Sequence, residues 1–180
     1  MEDSILVKDR YFKTFISAEQ IALRVQELGE QISTEMKGRE PLFLVVLNGA
    51  FVFAADLLRS VTTPCHVSFI RVSSYDGMES TGRLTQVLGL TEKIEGRSVV
   101  IVEDIVDSGY TMQRLLETLG TRNPKEILIC SLLVKPENIK VDLDIKYACI
   151  PIPNDFIVGY GLDYDGYGRN LNSIYTIIDK

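Results

Sequence analysis

Apolar residues along this chain recur in two alternating rhythms, and the alternation predicts its architecture. Ile21, Val25, Leu28 and Ile32 fall at helical spacing, so one apolar face runs down to about Lys37. Ser17, with Gln20 three residues on, has the spacing of a capping box and opens that helix. Pro41 ends the following turn, and Leu42–Leu47 is an unbroken apolar run of strand length. Asn48-Gly49 then turns the chain into Ala50–Arg59, a short and mostly buried helix. Cys65–Tyr75 alternates and is β-branched, Asp76–Arg83 is polar and contains glycine, and Leu84–Leu90 alternates again. This predicts two strands joined by a long flexible excursion. Further strands are predicted at Ser98–Glu103, Ile127–Val134, Ile145–Ile150 and Ile174–Ile178. A loop over Asp104–Tyr110 leads into a helix from about Thr111 to Leu119, which Gly120 and Asn123-Pro124 stop.

Strands that alternate with helices imply an α/β fold with a mainly parallel central sheet covered on both faces. Such sheets bind ligands beyond the carboxyl ends of their strands. Three chemically suggestive stretches lie there: Leu47–Ala50, Glu103–Thr111 and Lys135.

Composition narrows the class. With 180 residues, 46% of them hydrophobic, the chain can bury one good core, and a single domain over residues 1–180 is expected. The formal charge of −6 disfavours broad attachment to nucleic acid or anionic membrane, while leaving room for a local basic pocket. The amino-terminal MEDSILVKDR does not resemble a signal peptide, and no apolar run approaches the ~20 residues needed to span a bilayer. A soluble cytoplasmic protein is expected. Cys65, Cys130 and Cys149 form no CxxC, and the last two sit in strand-like runs, so free buried thiols are expected rather than disulfides or metal ligands. His66, the only histidine, stands in a strand pattern and reads as structural.

The densest chemistry is Val99–Thr111, VVIVEDIVDSGYT. Four apolar residues run straight into Glu103 and Asp104, and Asp107, Ser108, Gly109 and Thr111 follow. Adjacent acids at the end of a buried strand are costly unless something cationic or hydroxyl-bearing meets them. They suit the cis hydroxyls of a ribose, or a Mg²⁺ that takes a few carboxylates plus substrate oxygens. The DSGYT turn offers what a phosphate monoester needs: backbone N–H groups at a helix start, a glycine for close approach, and two hydroxyls. The segment thus reads diol or metal first and phosphate second, the layout of a ribose 5-phosphate. The loops GxxxxGK[ST] and GxGxxG are both absent, which lowers the NTPase and dinucleotide readings.

VVIVEDIVDSGYT resembles the signature of type I phosphoribosyltransferases, which bind 5-phosphoribosyl-1-pyrophosphate (PRPP). LNGA at Leu47–Ala50 resembles the pyrophosphate loop of the 6-oxopurine branch, and SSYDGMESTG at Ser73–Gly82 its mobile loop, with Ser74 and Tyr75 as the pair. LLVKPE, carrying Lys135, and IPNDFIVGYGLDY at Ile152–Tyr164 are similar to its purine-binding parts. The resemblance implies the type I fold, with a small base-binding subdomain from the chain ends and a mobile β-loop. It implies purine salvage: Mg²⁺-dependent transfer of phosphoribosyl from PRPP to hypoxanthine or guanine, giving IMP or GMP and pyrophosphate. Asp107 would handle the N7 proton of the base; Glu103 and Asp104 would face the ribose and metal. The 5-phosphate would lie on Asp107, Ser108, Gly109, Tyr110 and Thr111, and pyrophosphate on Leu47, Asn48, Gly49 and Arg169. Lys135, Phe156, Ile157 and Asp163 would take the purine, with Asp163 also suited to a second metal ion. The family implies a homo-oligomer, dimer or tetramer.

These residues make sense chemically as well. Phe156 offers a purine a stacking platform, and Lys135 can donate to a 6-oxo group while repelling the amino group of adenine. Hypoxanthine, guanine and xanthine all carry that oxygen, and the sequence does not separate them. Three positions depart from the pattern: Asn48 stands where Lys or Arg is common, Ala50 replaces a frequent Gly or Ser, and Gly168 precedes Arg169. The rival class is a PRPP-sensing regulator that binds RNA or DNA, which would show a basic face or an added domain.

Overall fold

The computed structural model describes residues 4–73 and 86–178. A hairpin comes first, β1 (Ser4–Val7) and β2 (Arg10–Ile16), closed over Lys8 and Asp9 with Lys8 at a φ of 57°. Helix α1 (Ala18–Glu35) then begins on a complete capping box: Ser17 Oγ accepts from the Gln20 N–H, and the Gln20 side chain accepts from the Ser17 N–H. It is followed by β3 (Leu42–Leu47), α2 (Phe51–Ser60), β4 (His66–Ser73) and β5 (Gln86–Leu88). Then come β6 (Ser98–Val106), α3 (Tyr110–Gly120), β7 (Glu126–Val134), β8 (Tyr147–Pro151), β9 (Ile157–Val158) and β10 (Ile174–Ile177).

The large sheet runs β5-β4-β3-β6-β7-β8, parallel throughout except where β5 pairs antiparallel with β4. Its central strands are continuous apolar runs because both faces are covered. Phe43, Val45, Val100 and Val102 pack with Ile21, Val25 and Leu28 of α1 and Phe53 and Leu57 of α2. The alternate residues Leu42, Leu44, Val99 and Ile101 pack with Met112, Leu115 and Leu119 of α3. Chain progression reverses direction between β3 and β6, and the crevice of an open α/β sheet lies at such a switch.

The second sheet, β1-β2-β10-β9, is antiparallel and joins the two ends of the chain around Phe12 and Val158. Lys8 in the hairpin turn is paired with Asp165. Neither β1, β2 nor β9 is foreshadowed by periodicity. A further difference lies in β6, which runs on to Val106 instead of ending at Glu103, because Ile105 and Val106 pair with Leu133 and Val134 of β7. The acids therefore sit inside the strand, not in a loop after it. The three cysteines are free, with Cys130 and Cys149 buried as expected. His66 is exposed at the amino end of β4, so it has no core role. Among the described residues, no helix is long and apolar enough to cross a membrane. Ser74 and Tyr75, expected in the mobile loop, lie outside the described residues.

Candidate active site

Three neighbouring parallel strands deliver the expected chemistry to one end of the sheet. The turn after β3 and the acids of β6 meet directly. A Cβ on Gly49 would lie 1.5 Å from Asp104 Oδ2, so only glycine lets this turn and that carboxylate share the space. The Leu47–Asn48 peptide is cis. Asn48 is exposed, whereas Ala50 is fully buried and fills core at the start of α2.

Glu103 is buried, and burial pushes its carboxyl well above the usual carboxylate range, with the Asp104 charge adding to the effect. The Asp104 N–H donates to Glu103 Oε1 at 3.1 Å, and the Ile105 N–H donates to Asp104 Oδ1 at 2.9 Å. Among the described residues, neither acid is in an ion pair. Two adjacent carboxylates without a cation fit a divalent ion or a ribose diol. Among the described residues no three His, Cys, Asp or Glu side chains gather as a metal cage, so an ion here would complete its shell from substrate oxygens and water.

Beyond β6 the chain turns through Asp107, Ser108 and Gly109, whose left-handed φ of 87° starts α3 without any side-chain cap. The first-turn N–H groups of α3 thus have no side-chain acceptor, which is the arrangement an anion satisfies. Glu103, Asp107, Ser108, Gly109 and Thr111 line a hollow of about 100 Å³ at this point. Tyr110 is half-exposed. Asp and Ser do not cap this helix themselves, so an ordinary capped loop does not account for the segment.

Asp107 does not stand alone. Lys135, from the end of β7 and 8% exposed, places Nζ 3.1 Å from Asp107 Oδ2 and 3.2 Å from Asn154 Oδ1. Asn138, in the short turn Pro136–Asn138, donates from Nδ2 to Asp107 Oδ1. Both oxygens of the carboxylate are therefore held. An ammonium has three N–H donors, and two of those on Lys135 are spent here, leaving one for a ligand.

The stretch from Phe156 to Arg169 closes the site. Phe156 is 48% exposed, with its ring 5.8 Å from Tyr164 in an edge-on contact and 6.3 Å from Phe12. It is free on one side to stack. Ile157 differs from expectation: its side chain lies in the main core, because alternation in β9 points it inward, so only its backbone can flank a base. Arg169 donates from Nη1 to the Gly161 carbonyl at 2.7 Å and pairs through Nη2 with Asp163 Oδ1 at 2.6 Å. Asp163 Oδ2 accepts the Gly166 N–H at 2.7 Å, so Asp163, expected at a metal or exocyclic group, has both oxygens engaged by the protein.

Comparison with known proteins decides the family. Residues 14–165 match the model of the phosphoribosyl transferase domain. The hypoxanthine-guanine phosphoribosyltransferase of Mycobacterium bovis is 43% identical over 169 residues, covering 90% of this chain and 84% of that protein. The hypoxanthine phosphoribosyltransferase of Salmonella typhimurium is 41% identical over 169 residues, covering 92% and 95%. A crystal structure of the Bacillus anthracis hypoxanthine-guanine phosphoribosyltransferase superposes with a TM-score of 0.84 at 40% identity, over 96% of this chain and all of that one. The Trypanosoma cruzi hypoxanthine phosphoribosyltransferase, solved in complex with its product IMP, does so with a TM-score of 0.82 at 36% identity, over 92% of this chain and 90% of that one. The chain belongs to the hypoxanthine-guanine branch of the phosphoribosyltransferase family.

Among the features of this phosphoribosyltransferase, the sequence reading singles out neither Asn138 nor Asn154. Asn154 lies inside the IPNDFIVGYGLDY stretch but carries no charge or ring to mark it, and Asn138 falls in no periodic or Gly-rich pattern. The one available signal is that Asn138 lies three residues beyond Lys135, within a Pro-initiated turn in which the Asn138 N–H donates to the Lys135 carbonyl at 3.0 Å.

Proposed function

We propose that this protein transfers the 5-phosphoribosyl group of PRPP to a ring nitrogen of a 6-oxopurine, hypoxanthine or guanine, releasing pyrophosphate. One juxtaposition supports this above all: the Asp107 carboxylate, beside a helix start with no side-chain cap, bonded to the buried ammonium of Lys135. It sets a proton acceptor next to a donor for a 6-oxo group, and both next to a phosphate-sized hollow. That the Trypanosoma cruzi relative holds IMP adds to the reading.

In this reading the 5-phosphate rests on Ser108–Thr111 and the leading N–H groups of α3. The ribose hydroxyls meet Glu103 and Asp104. Pyrophosphate takes the backbone of Leu47–Gly49, with Asn48 adding no charge, and the remaining donors of Arg169, which Asp163 holds in place. The purine stacks on Phe156 along the backbone of Ile157. Lys135 gives its third N–H to the 6-oxo group and would oppose the amino group of adenine. As the bond from C1 to pyrophosphate breaks, the sugar gains oxocarbenium character and the purine nitrogen closes on C1. The purine's proton passes from N7 to Asp107, an acceptor oriented by Lys135 and Asn138. Mg²⁺ suits the unpaired acids of β6 and, when bound, offsets charge on the pyrophosphate. The loop containing Ser74 and Tyr75 would exclude water from the reacting centre. Family resemblance supports a dimer or tetramer, which sedimentation tests, and the free thiols suit a reducing cytoplasm.

The deciding assay measures pyrophosphate release from PRPP and Mg²⁺ with hypoxanthine, guanine, xanthine, adenine and orotate in turn. Turnover with hypoxanthine or guanine and none with adenine is expected. Turnover with no base would favour a PRPP-sensing role, and turnover with adenine alone would overturn the role of Lys135.

A further inference from the structure

A second hollow lies at the other end of the large sheet. The amino ends of β3, β4 and β6 border a mostly polar cleft of about 330 Å³, with Arg39, Glu40, His66, Arg97, Ser98 and Lys125 on its walls. At about 3.3 Å per residue, Ser98 is about 20 Å along β6 from Asp104, too far for the cleft to be part of the reaction centre.

Its charges are unevenly spent. Arg39 Nη1 lies 3.1 Å from Glu126 Oε1, and Ser98 Oγ donates to the same oxygen at 2.6 Å. Arg97 and Lys125, in contrast, are in no ion pair among the described residues. Their backbones are tied together, the Lys125 N–H donating to the Arg97 carbonyl at 2.9 Å, while the Arg97 N–H donates to Ile94 O at 3.0 Å. Two cationic residues are thus held at neighbouring backbone positions with neither in a direct ion pair among the described residues, the nearest acid to Lys125 being Glu126, which Arg39 and Ser98 already engage. Glu40 is the opposing charge on the wall, and it sits at a left-handed φ of 48°, a conformation that non-glycine residues hold at a cost.

We propose that this cleft is a second anion site, taking the oligophosphate chain of a small metabolite. A guanidinium fork and a neighbouring ammonium match phosphate oxygens in number and geometry. The volume lies at the lower end of the range of ligand cavities, room for a phosphate chain and little more. Strands β3 and β6 run from the cleft to Gly49 and Asp104, so an occupant would press on the frame that sets the reaction centre.

The chain supplies its own reporter, since His66 is its only histidine and lies on the cleft wall. Tripolyphosphate titrated at constant ionic strength should move the His66 imidazole resonance saturably, with chloride as the screening control. ATP in a parallel titration separates sources: a shift with tripolyphosphate assigns a free phosphate chain, and a shift with ATP alone assigns a nucleotide. In Arg97→Gln the half-saturating concentration should rise about tenfold or more, as expected when charge-assisted hydrogen bonds are lost. Arg97→Lys should retain part of the response, and Lys125→Gln should weaken it independently. Basal transfer activity should be unchanged in all three. No movement of the resonance at millimolar ligand, or equal movement in wild type and Arg97→Gln, would overturn the proposal.

Discussion

The Asp107 carboxylate is held at both oxygens, by Lys135 on one and Asn138 on the other. In the proposed reaction Lys135 would also answer to the substrate, so Asn138 would be the partner whose task is positioning alone. Asn138→Ala should lower kcat about tenfold, a fraction of the 10²–10⁴ that acid–base catalysis supplies, and leave the KM for PRPP within about twofold. Asn138→Asp makes a sharper test, because a second carboxylate favours the protonated form of Asp107. The acidic limb of the pH–kcat profile should then move to higher pH. A role in folding alone would lower activity at every pH without moving that limb. The side chains that carry a motif, Glu103, Asp104 and Asp107, were legible in the sequence, but their partners were not. Asn138 reaches Asp107 because β7 pairs in parallel with β6, and Asn154 reaches Lys135 because β8 pairs in parallel with β7.

Elements with a long apolar or alternating run announce themselves in the sequence, and the short strands of the antiparallel sheet, β1, β2 and β9, do not. Leu42–Leu47 is a strand at the bounds its apolar run predicts, and the capping box of Ser17 and Gln20 starts α1 as expected. The β1–β2 hairpin escapes notice because its turn is Lys8-Asp9, without the Asn-Gly or Asp-Gly that marks such turns, and only Phe12 and Ile16 of β2 are buried. Replacing Ser17 with Ala removes the acceptor for the Gln20 N–H, at a cost of about 1 kcal/mol. In a chain of this size the melting temperature should fall by about 2–4 °C, with kcat unchanged. The turn after β3 behaves differently, because its function depends on touching β6. Gly49→Ala cannot be accommodated without moving Asp104 or the turn, since the new Cβ would lie 1.5 Å from Asp104 Oδ2. A displacement of about 1 Å at a reaction centre costs about a hundredfold. Steady-state kinetics should show that loss in kcat/KM for PRPP, with a far smaller change in thermal stability.

The molecule divides its work between two sheets. In the proposed reaction the parallel sheet ends in the turn after β3, the acids of β6 and the turn before α3, all of which would concern PRPP. The antiparallel sheet draws together residues from both chain ends, and Phe156, just before β9, would concern the base. The family signature lies wholly in β6, the turn that follows it and the start of α3, which explains why phosphoribosyl chemistry could be read from thirteen residues while the acceptor required Lys135 and Phe156. If the division holds, damage to the second sheet should fall on the purine alone. Phe12 offers the means: it is fully buried in β2, far along the chain from every PRPP residue, and its ring centroid lies 6.3 Å from Phe156 and 6.0 Å from Tyr164. Phe12→Leu keeps the site apolar while giving up ring volume, so a stability cost below the ~3–5 kcal/mol of full truncation to Ala is expected. It removes the ring against which Phe156 leans, and the KM for hypoxanthine should rise severalfold while the KM for PRPP stays put. Gly49→Ala should give the opposite pattern. Equal rises in both constants for Phe12→Leu would mean that the sheets act as one rigid unit, and that the separation of base from phosphoribose is one of topology only.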